Sequence, residues 1–509
     1  MKIGNKITAN LDELASCVND IRRNGKKVSL CQGHFNVIHP GHLRFLEFAK
    51  KQGDFFIVVI QGKSRIDESV REKFYRVDDR ARGVASLEYV DRVFVFDEID
   101  FDQIIRVVRP DVYVMGEEFA GKIDLIKNDV ELVESFGGRI IFSSGDIRYS
   151  TTEYLDKNAR DILEERKSLY HHALKKQNIE VRRLIEYCDM LSAKHLLVIG
   201  DSIVDQYVAC DALGMSSEAP VLVVRELESK EYVGGAAIVS RHVRALSSRC
   251  TFISLVGDDQ PGETVRDELK KESIEARLII DGDRPTTFKI RYMVDTQKIL
   301  RVSRLEDHHL NQKMEETVIQ QLDELAGSID GIIVSDFGYG MITPRILDHL
   351  THLQESHAVK LFGDVQSSSQ IGNVAKFINY YCLTPTEKEA RIALEDKYSG
   401  LEAIGANLVK KTGAKNIILK LGSEGFIAFE GTQDEFFFKT QHFPALNPNP
   451  VDVVGAGDSL LTGLAVSCCV GASLMEASAI ASVVASIAIG KMGNIPITVG
   501  EVKNYLATM

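Results

Sequence analysis

Five short apolar runs punctuate the first third of the chain: KKVSLCQG, FFIVVIQG, RVFVFDE, DVYVMGE and RIIFSSG. Segments with helical spacing separate them. Strands made almost entirely of Val, Ile and Phe have to be covered on both faces. Their alternation with helices builds a parallel sheet between two helical layers. A new β run, HLLVIGDSIVD, starts at residue 195, and strands then come in a burst up to RYMVDTQKILRVSRLE (291–306). A second strand–helix alternation follows through GIIVSDFG, KLFGDV, INYYCLTP and NIILKLG, and two apolar helices close the chain near 456–470 and 474–491. The stretch 156–191 carries dense mixed charge without Gly or Pro, which reads as helix and as a connection. At 509 residues the chain exceeds a single core. The organisation expected is an α/β domain over 1–155, a helical linker over 156–193 and a second α/β domain over 194–509.

Composition narrows the function. A net charge of −12 disfavours a nucleic-acid partner, because a phosphate backbone selects a basic face. No apolar stretch reaches transmembrane length and the N-terminus is polar, so neither a membrane partner nor a signal peptide is expected. The eight cysteines are scattered without a CxxC pair. They read as reduced thiols of a cytoplasmic protein, with no zinc site.

Two stretches carry chemistry. The first is GHFNVIHPGH (33–42), which leaves a buried strand and enters the amphipathic segment LRFLEFAKK. Gly41 and His42 therefore open a helix, where orphan N–H groups and the dipole favour an anion. His39 and His42 can donate to phosphate oxygens, and Lys50 can add charge from the same helix. The second is PVDVVGAGDSLLTG (450–463). Gly455, Ala456 and Gly457 form a backbone N–H cradle for an anion, and Asp458 sits inside it. A carboxylate placed there is suited to taking a proton from a hydroxyl.

The first stretch resembles the HxGH nucleotidyltransferases, in their cytidylyltransferase-like branch. Their G-x-F-D-x-x-H-x-G-H pattern appears here as Gly33, Phe35, Asn36, His39, Gly41 and His42, with Asn in place of Asp at 36. DDRARGVASLEYVDRVFVFDE matches the Arg-bearing helix and makes Arg80 a phosphate contact. PDVYVMGEEFAGKID, with Gly116, is similar to the glycerol-3-phosphate cytidylyltransferase version of its block. YSTTEYL is similar to the signature whose Ser and Thr, here Ser150, Thr151 and Thr152, hold the triphosphate. The resemblance implies a Rossmann-like domain that transfers a nucleotidyl group to a phosphate monoester with Mg²⁺ on the triphosphate. Catalysis would be positioning plus charge stabilisation.

The second stretch resembles the D-T-x-G-A-G-D signature of ribokinase-type (PfkB) sugar kinases. That makes Asp458 the base, Gly455, Ala456 and Gly457 the anion hole, and the fold ribokinase-like with a small β-lid. GDSIVD (Asp205), VGGAA (Gly234, Gly235), VSDFGYG (Asp336), LTPTEKEA (Glu389) and LKLGSEG (Gly422, Gly425) match further blocks, and SSEAPVLVV is similar to a segment of heptose-phosphate kinases. Lys289 and Arg291 match the lid strands on the sugar side. Glu389 is implied as an indirect metal contact. Departures are Ile238 for an Asn, Tyr339 and Gln366 for two Lys, and Thr386 for an Asn.

Together the two halves resemble the bifunctional ADP-heptose synthases, with the domain order reversed. The resemblance implies an enzyme of carbohydrate metabolism. It would phosphorylate a heptose phosphate-like sugar at the anomeric position with ATP, then make an ADP-sugar and pyrophosphate. Its partners would be small sugars and nucleoside triphosphates, with Mg²⁺, in a homodimer joined through the kinase lid. Two rivals stay open: a CTP-dependent enzyme making a CDP-sugar or CDP-polyol, and one domain being a non-catalytic regulatory module.

Overall fold

A computed structural model describes residues 6–36, 38, 40–62, 74–97, 100–116, 123–143, 159–219, 221–246, 248–295, 297–366, 372–397, 399–431, 438–491, 493 and 495–509. The chain divides into two compact units, 1–156 with 396–404, and 157–395 with 405–509.

In the first unit, six strands form one sheet in the order β1 (Ile7–Thr8), β4 (Arg92–Phe96), β3 (Phe55–Gln61), β2 (Val28–Gly33), β5 (Val112–Gly116), β6 (Arg139–Ser143). Every pairing is parallel. The period of two in β3 explains the apolar runs. Ile57 and Val59 face a core with Leu14, Val18, Ile104 and Val108, while Phe56, Val58 and Ile60 face another with Phe45, Leu46, Ala81 and Val84. Helices Leu11–Arg23 and Phe101–Val108 thus cover one face, and Pro40–Lys51 and Val77–Ala85 the other. The strand order reverses between β2 and β5. Their carboxyl ends, Gly33 and Gly116, flank the switch point where such sheets bind ligands.

The second unit holds a mixed sheet in the order β10 (Glu275–Asp281), β9 (Arg249–Gly257), β7 (His195–Met215), β13 (Gly331–Asp336), β14 (Lys360–Val365), β15 (Cys382–Leu383), β16 (Asn416–Lys420), β17 (Phe426–Gly431), β18 (Phe438–Phe443). Pairing is parallel through β16 and antiparallel beyond it. Strand β7 is 21 residues long. Its first part lies in this sheet, and its continuation from Ser202 pairs with β8 (Leu222–Gly235) and β11 (Thr287–Val294), which in turn pairs with β12 (Gln297–Arg304). That four-stranded extension is the lid, and the crossing of β7 from sheet to lid fixes Asp205 at their junction. Helices Ala456–Cys469 and Leu474–Ala488 are buried almost all round, which accounts for their continuous apolar sequence.

The stretch expected as a linker is helical over Ala159–Lys176 and Val181–Met190, but it is not a free connection. Tyr170, Leu174, Leu184 and Cys188 enter the core of the second unit, and the Tyr170 hydroxyl donates to the Ala479 carbonyl at 3.1 Å. The dense charges mask this narrow apolar stripe.

Candidate active sites

The second unit contains a cleft of about 440 Å³ at the carboxyl ends of its strands. Asp205, Lys289 and Arg291 enter it from the lid junction. Gln366, Thr386 and Lys420 come from the ends of β14, β15 and β16. Gly422, Gly425 and the 455–458 turn enter from the far side, and Gly234, Gly235 and Glu389 complete the wall. Residues expected on the sugar side and on the nucleotide side therefore line one cavity.

Asp458 stands in the first turn of the helix Ala456–Cys469 and is 5 % exposed. Gly455 caps that helix at φ +79°, a left-handed conformation that favours glycine. A Cβ on Gly457 would lie 3.2 Å from the Lys420 ammonium, so only glycine leaves the turn open on that side. The first-turn N–H groups have no intrahelical acceptors, as at the start of any helix, and that of Ala456 donates to the Val453 carbonyl at 3.3 Å. Burial pushes the Asp458 carboxyl up to about 7. The nearby Asp364 and Asp205 charges add to this, and Lys420 and a hydrogen bond from Gln366 oppose it. The Gln366 amide donates to Asp458 Oδ1 at 3.4 Å. Lys420 donates to both oxygens of the fully buried Asp364, at 2.8 and 3.0 Å. The Asp364–Lys420 pair was not anticipated. The lysine of LKLG and the aspartate of GDV are its only sequence traces.

On the sugar side, Arg291 donates to Asp205 and lies over the Tyr207 ring at 5.3 Å. Lys289, 4 % exposed, lies over the Tyr339 ring at 5.1 Å. One expectation needs correction. Asp336 does not line the cleft: it is 2 % exposed, pairs with Lys376 and accepts the Gly338 N–H at 2.8 Å, so it shapes the loop behind the wall. Ile238, which stands in place of the resemblance's Asn, is fully buried in the helix Ala236–Ala245. Asp201, which sequence reading passed over, accepts N–H groups from Phe337, Tyr339 and Met341 and fixes that same loop.

In the first unit, Gly33 and Gly116 end β2 and β5 at the switch point. Phe35 is buried in a left-handed conformation at φ +45°, with its ring edge-on to His42 at 5.2 Å. His42 opens the helix Pro40–Lys51. Residues 39 and 150–152 lie outside the described residues.

Arg80 is a buried clamp. Its guanidinium donates to the His34, Gln61 and Tyr75 carbonyls at 2.7, 2.8 and 3.2 Å, which leaves it holding loops instead of reaching phosphate. Lys50 also needs correction. Its ammonium donates to Asp91 at 2.6 Å and to the Asp54 carbonyl at 2.7 Å, at the amino ends of β3 and β4. The helix runs antiparallel to the strand before it, and eight residues at about 1.5 Å each carry Lys50 about 12 Å away from His42.

Residues 193–498 match the family model described as pfkB family carbohydrate kinase. The chain belongs to the pfkB family. Residues 30–157 match the cytidylyltransferase-like model. Among curated relatives, the bifunctional protein HldE of Campylobacter jejuni subsp. doylei is 29% identical over 331 residues, covering 63% of this chain and 66% of that protein. HldE of Helicobacter hepaticus is 29% identical over 318 residues, covering 62% and 64%. The chain thus spans slightly under two thirds of the length of these relatives. Phosphofructokinase-2 from Escherichia coli, solved in complex with substrates and products, superposes with a TM-score of 0.52 at 15% identity over 62% of this chain and 99% of that one. That likeness supports the kinase fold alone. No helix among the described residues is long and apolar enough to cross a membrane.

Proposed function

We propose that the chain is a bifunctional sugar kinase and nucleotidyltransferase. Its second unit transfers the γ-phosphoryl group of ATP to the anomeric hydroxyl of a heptose phosphate-like sugar. Its first unit transfers the adenylyl group of ATP to a sugar 1-phosphate, giving an ADP-sugar and pyrophosphate; the phosphate that the kinase substrate already carries is removed by a separate hydrolysis between the two steps. The observation that carries the kinase reading is Asp458: a buried carboxyl at the mouth of an N–H cradle, lining the same cleft as Asp205, Lys289 and Arg291.

In the kinase step Asp458 accepts the hydroxyl proton as the new O–P bond forms and the bond to the ADP oxygen breaks. The 455–457 N–H groups hold the charge on the moving phosphoryl group. Asp205, with Arg291, orients sugar hydroxyls, and Lys289 attracts the substrate's anionic end. In the transfer step an oxygen of the sugar 1-phosphate attacks the α-phosphorus and pyrophosphate leaves. The attacking group is already an anion, so His39 and His42 serve to stabilise charge. Gly33, Gly116 and the 150–152 hydroxyls hold the nucleotide.

Among the described residues no group of three or more His, Cys, Asp or Glu could hold a metal ion by itself. Mg²⁺ carried on a triphosphate keeps several waters and needs only one or two carboxylates. The buried Glu389, which lines the cleft and accepts the Thr386 N–H at 2.8 Å, fits that limited role. When bound, the ion neutralises charge on the phosphates.

The lid supports a homodimer. Strands β8 and β12 are its open edges, and Leu213, Met215, Leu222, Leu227 and Leu300 stand exposed on it. A two-fold partner would cover them. The thiols of all eight cysteines are free, which fits a cytoplasmic enzyme.

The test is a pair of variants. Asp458→Asn should abolish sugar phosphorylation and leave transfer to a supplied sugar 1-phosphate intact, and His42→Ala should do the reverse. Equal loss of both reactions in either variant would refute the assignment.

A further inference from the structure

Lys420 has no role in the account so far, yet its surroundings are unusual. It is the last residue of β16, with its backbone N–H donating to the Pro385 carbonyl at 2.8 Å. Its side chain is 13 % exposed and its ammonium lines the cleft. The nitrogen sits 3.2 Å from where a Gly457 Cβ would stand, so it abuts the cradle. An ammonium has three N–H donors. Two go to Asp364, and the third has no acceptor among the described residues. Gln366 stands where the kinase resemblance implied a lysine, so the end of β14 brings no cation to the cradle.

The carboxylates make a cation necessary. Asp458 lines the space at the cradle, and the charges of the fully buried Asp364 and of Asp205 act on it. A phosphoryl group arriving at the cradle has Lys420 as the cation beside it, while Lys289 and Arg291 enter the cleft from the lid junction.

We propose that Lys420 is a catalytic residue of the kinase site: Asp364 holds its ammonium by two hydrogen bonds, and the third N–H donates to an oxygen of the transferring phosphoryl group. The proposal rests on the kinase reading above and adds to it the cation that the Gln366 position lacks. It involves no further bond making. The ammonium keeps its protons throughout, and its hydrogen bond shortens as charge builds on the phosphoryl oxygens.

A merely structural lysine would serve to neutralise Asp364, and the test separates the two roles. Lys420→Met alone strands a buried carboxylate and can fail to fold, so it is not the informative variant. Asp364→Asn keeps the ammonium in the cleft. Asp364→Asn/Lys420→Met removes both charges together and leaves no buried ion uncompensated. ATP-dependent sugar phosphorylation is measured for the wild type and both variants, with thermal melting to confirm folding and the ADP-induced melting shift as a binding readout. Asp364→Asn should lose about tenfold or less in kcat. The double variant should lose a further factor of about 100, the scale of one oxyanion donor, with the ADP shift retained because ADP lacks the transferring group. A further loss of under tenfold in the double variant, or loss of the ADP shift along with activity, would overturn the proposal. A wild-type chain that phosphorylates no sugar would instead remove the kinase reading itself, and that is seen before any variant is compared.

Discussion

Returning a lysine to position 366 should move the pH at which the kinase switches on. The Asp458 carboxyl sits at about 7, far above its ordinary 3.8, so the free enzyme is only half ready at neutral pH. A base must be ionised to act, so kcat/KM for phosphorylation should rise with pH along a limb centred near 7. Gln366 touches Asp458 Oδ1 at 3.4 Å, and Gln366→Lys brings a positive charge to about that distance. A charge about 4 Å away in an effective dielectric of about 20 is about 4 kcal/mol, or about three pH units at 1.36 kcal/mol each. The cleft is open to water and lysine is flexible, so about half of this should survive. The limb should then fall to about 5.5. At pH 6 the ionised fraction would rise about eightfold and kcat/KM with it, while at pH 8.5 the two enzymes should be equal or the variant slightly slower, its base being weaker. The assay is ADP release with excess sugar acceptor, from pH 5 to 9. A limb in the same place for both enzymes, or no limb between pH 5.5 and 8.5, would refute the argument that Asp458 is the base and that burial among carboxylates sets its pKa.

Three other outcomes are expected. Folding raises the Asp458 pKa, so this residue costs no stability below about pH 4 and its full penalty above about pH 7. Asp458→Asn should therefore stabilise the second unit by about 1–3 kcal/mol at pH 8 and by little at pH 4, read by denaturant titration. Arg80→Met takes the donor from three part-buried carbonyls and should destabilise the first unit by about 2–3 kcal/mol while sparing kinase activity, which denaturation monitored with the phosphorylation assay would show. Leu227→Asp/Leu300→Asp on the lid should convert a dimer to a monomer in sedimentation, and an unchanged mass would place any partner contact elsewhere.

Much of the architecture was legible because it depends on local patterns. Near-continuous runs such as FFIVVIQ can only be doubly covered strands, and the period of two within them assigns each residue to a face. Motif glycines marked the cradle because few other residues fit a positive φ or a backbone pressed against an ammonium. What could not be read was side-chain partnership across distant segments. Lys50 looked like a phosphate ligand in a linear motif, but the helix returns it to the amino ends of the strands, where Asp91 takes it. Asp336 sat in a motif block, yet Lys376 and Gly338 claim it. Tyr170 was hidden among charges because an amphipathic stripe one residue wide per turn leaves little trace in composition. Lys420 and Asp364 lie 56 residues apart, on strands β16 and β14 that flank β15, and only the order of strands in the sheet brings them together.

The central claim is that one chain phosphorylates a sugar and then activates it with a nucleotide. The most direct measurement is mass spectrometry of the products formed from D-glycero-D-manno-heptose 7-phosphate, with ATP alone and with ATP plus CTP. The account predicts a heptose bisphosphate in both mixtures and, once an added phosphatase has removed the 7-phosphate, ADP-heptose in both. A heptose that gains no second phosphate would contradict the kinase assignment of substrate, and a CDP-linked product from the mixed nucleotides would contradict the choice of ATP in the transfer step.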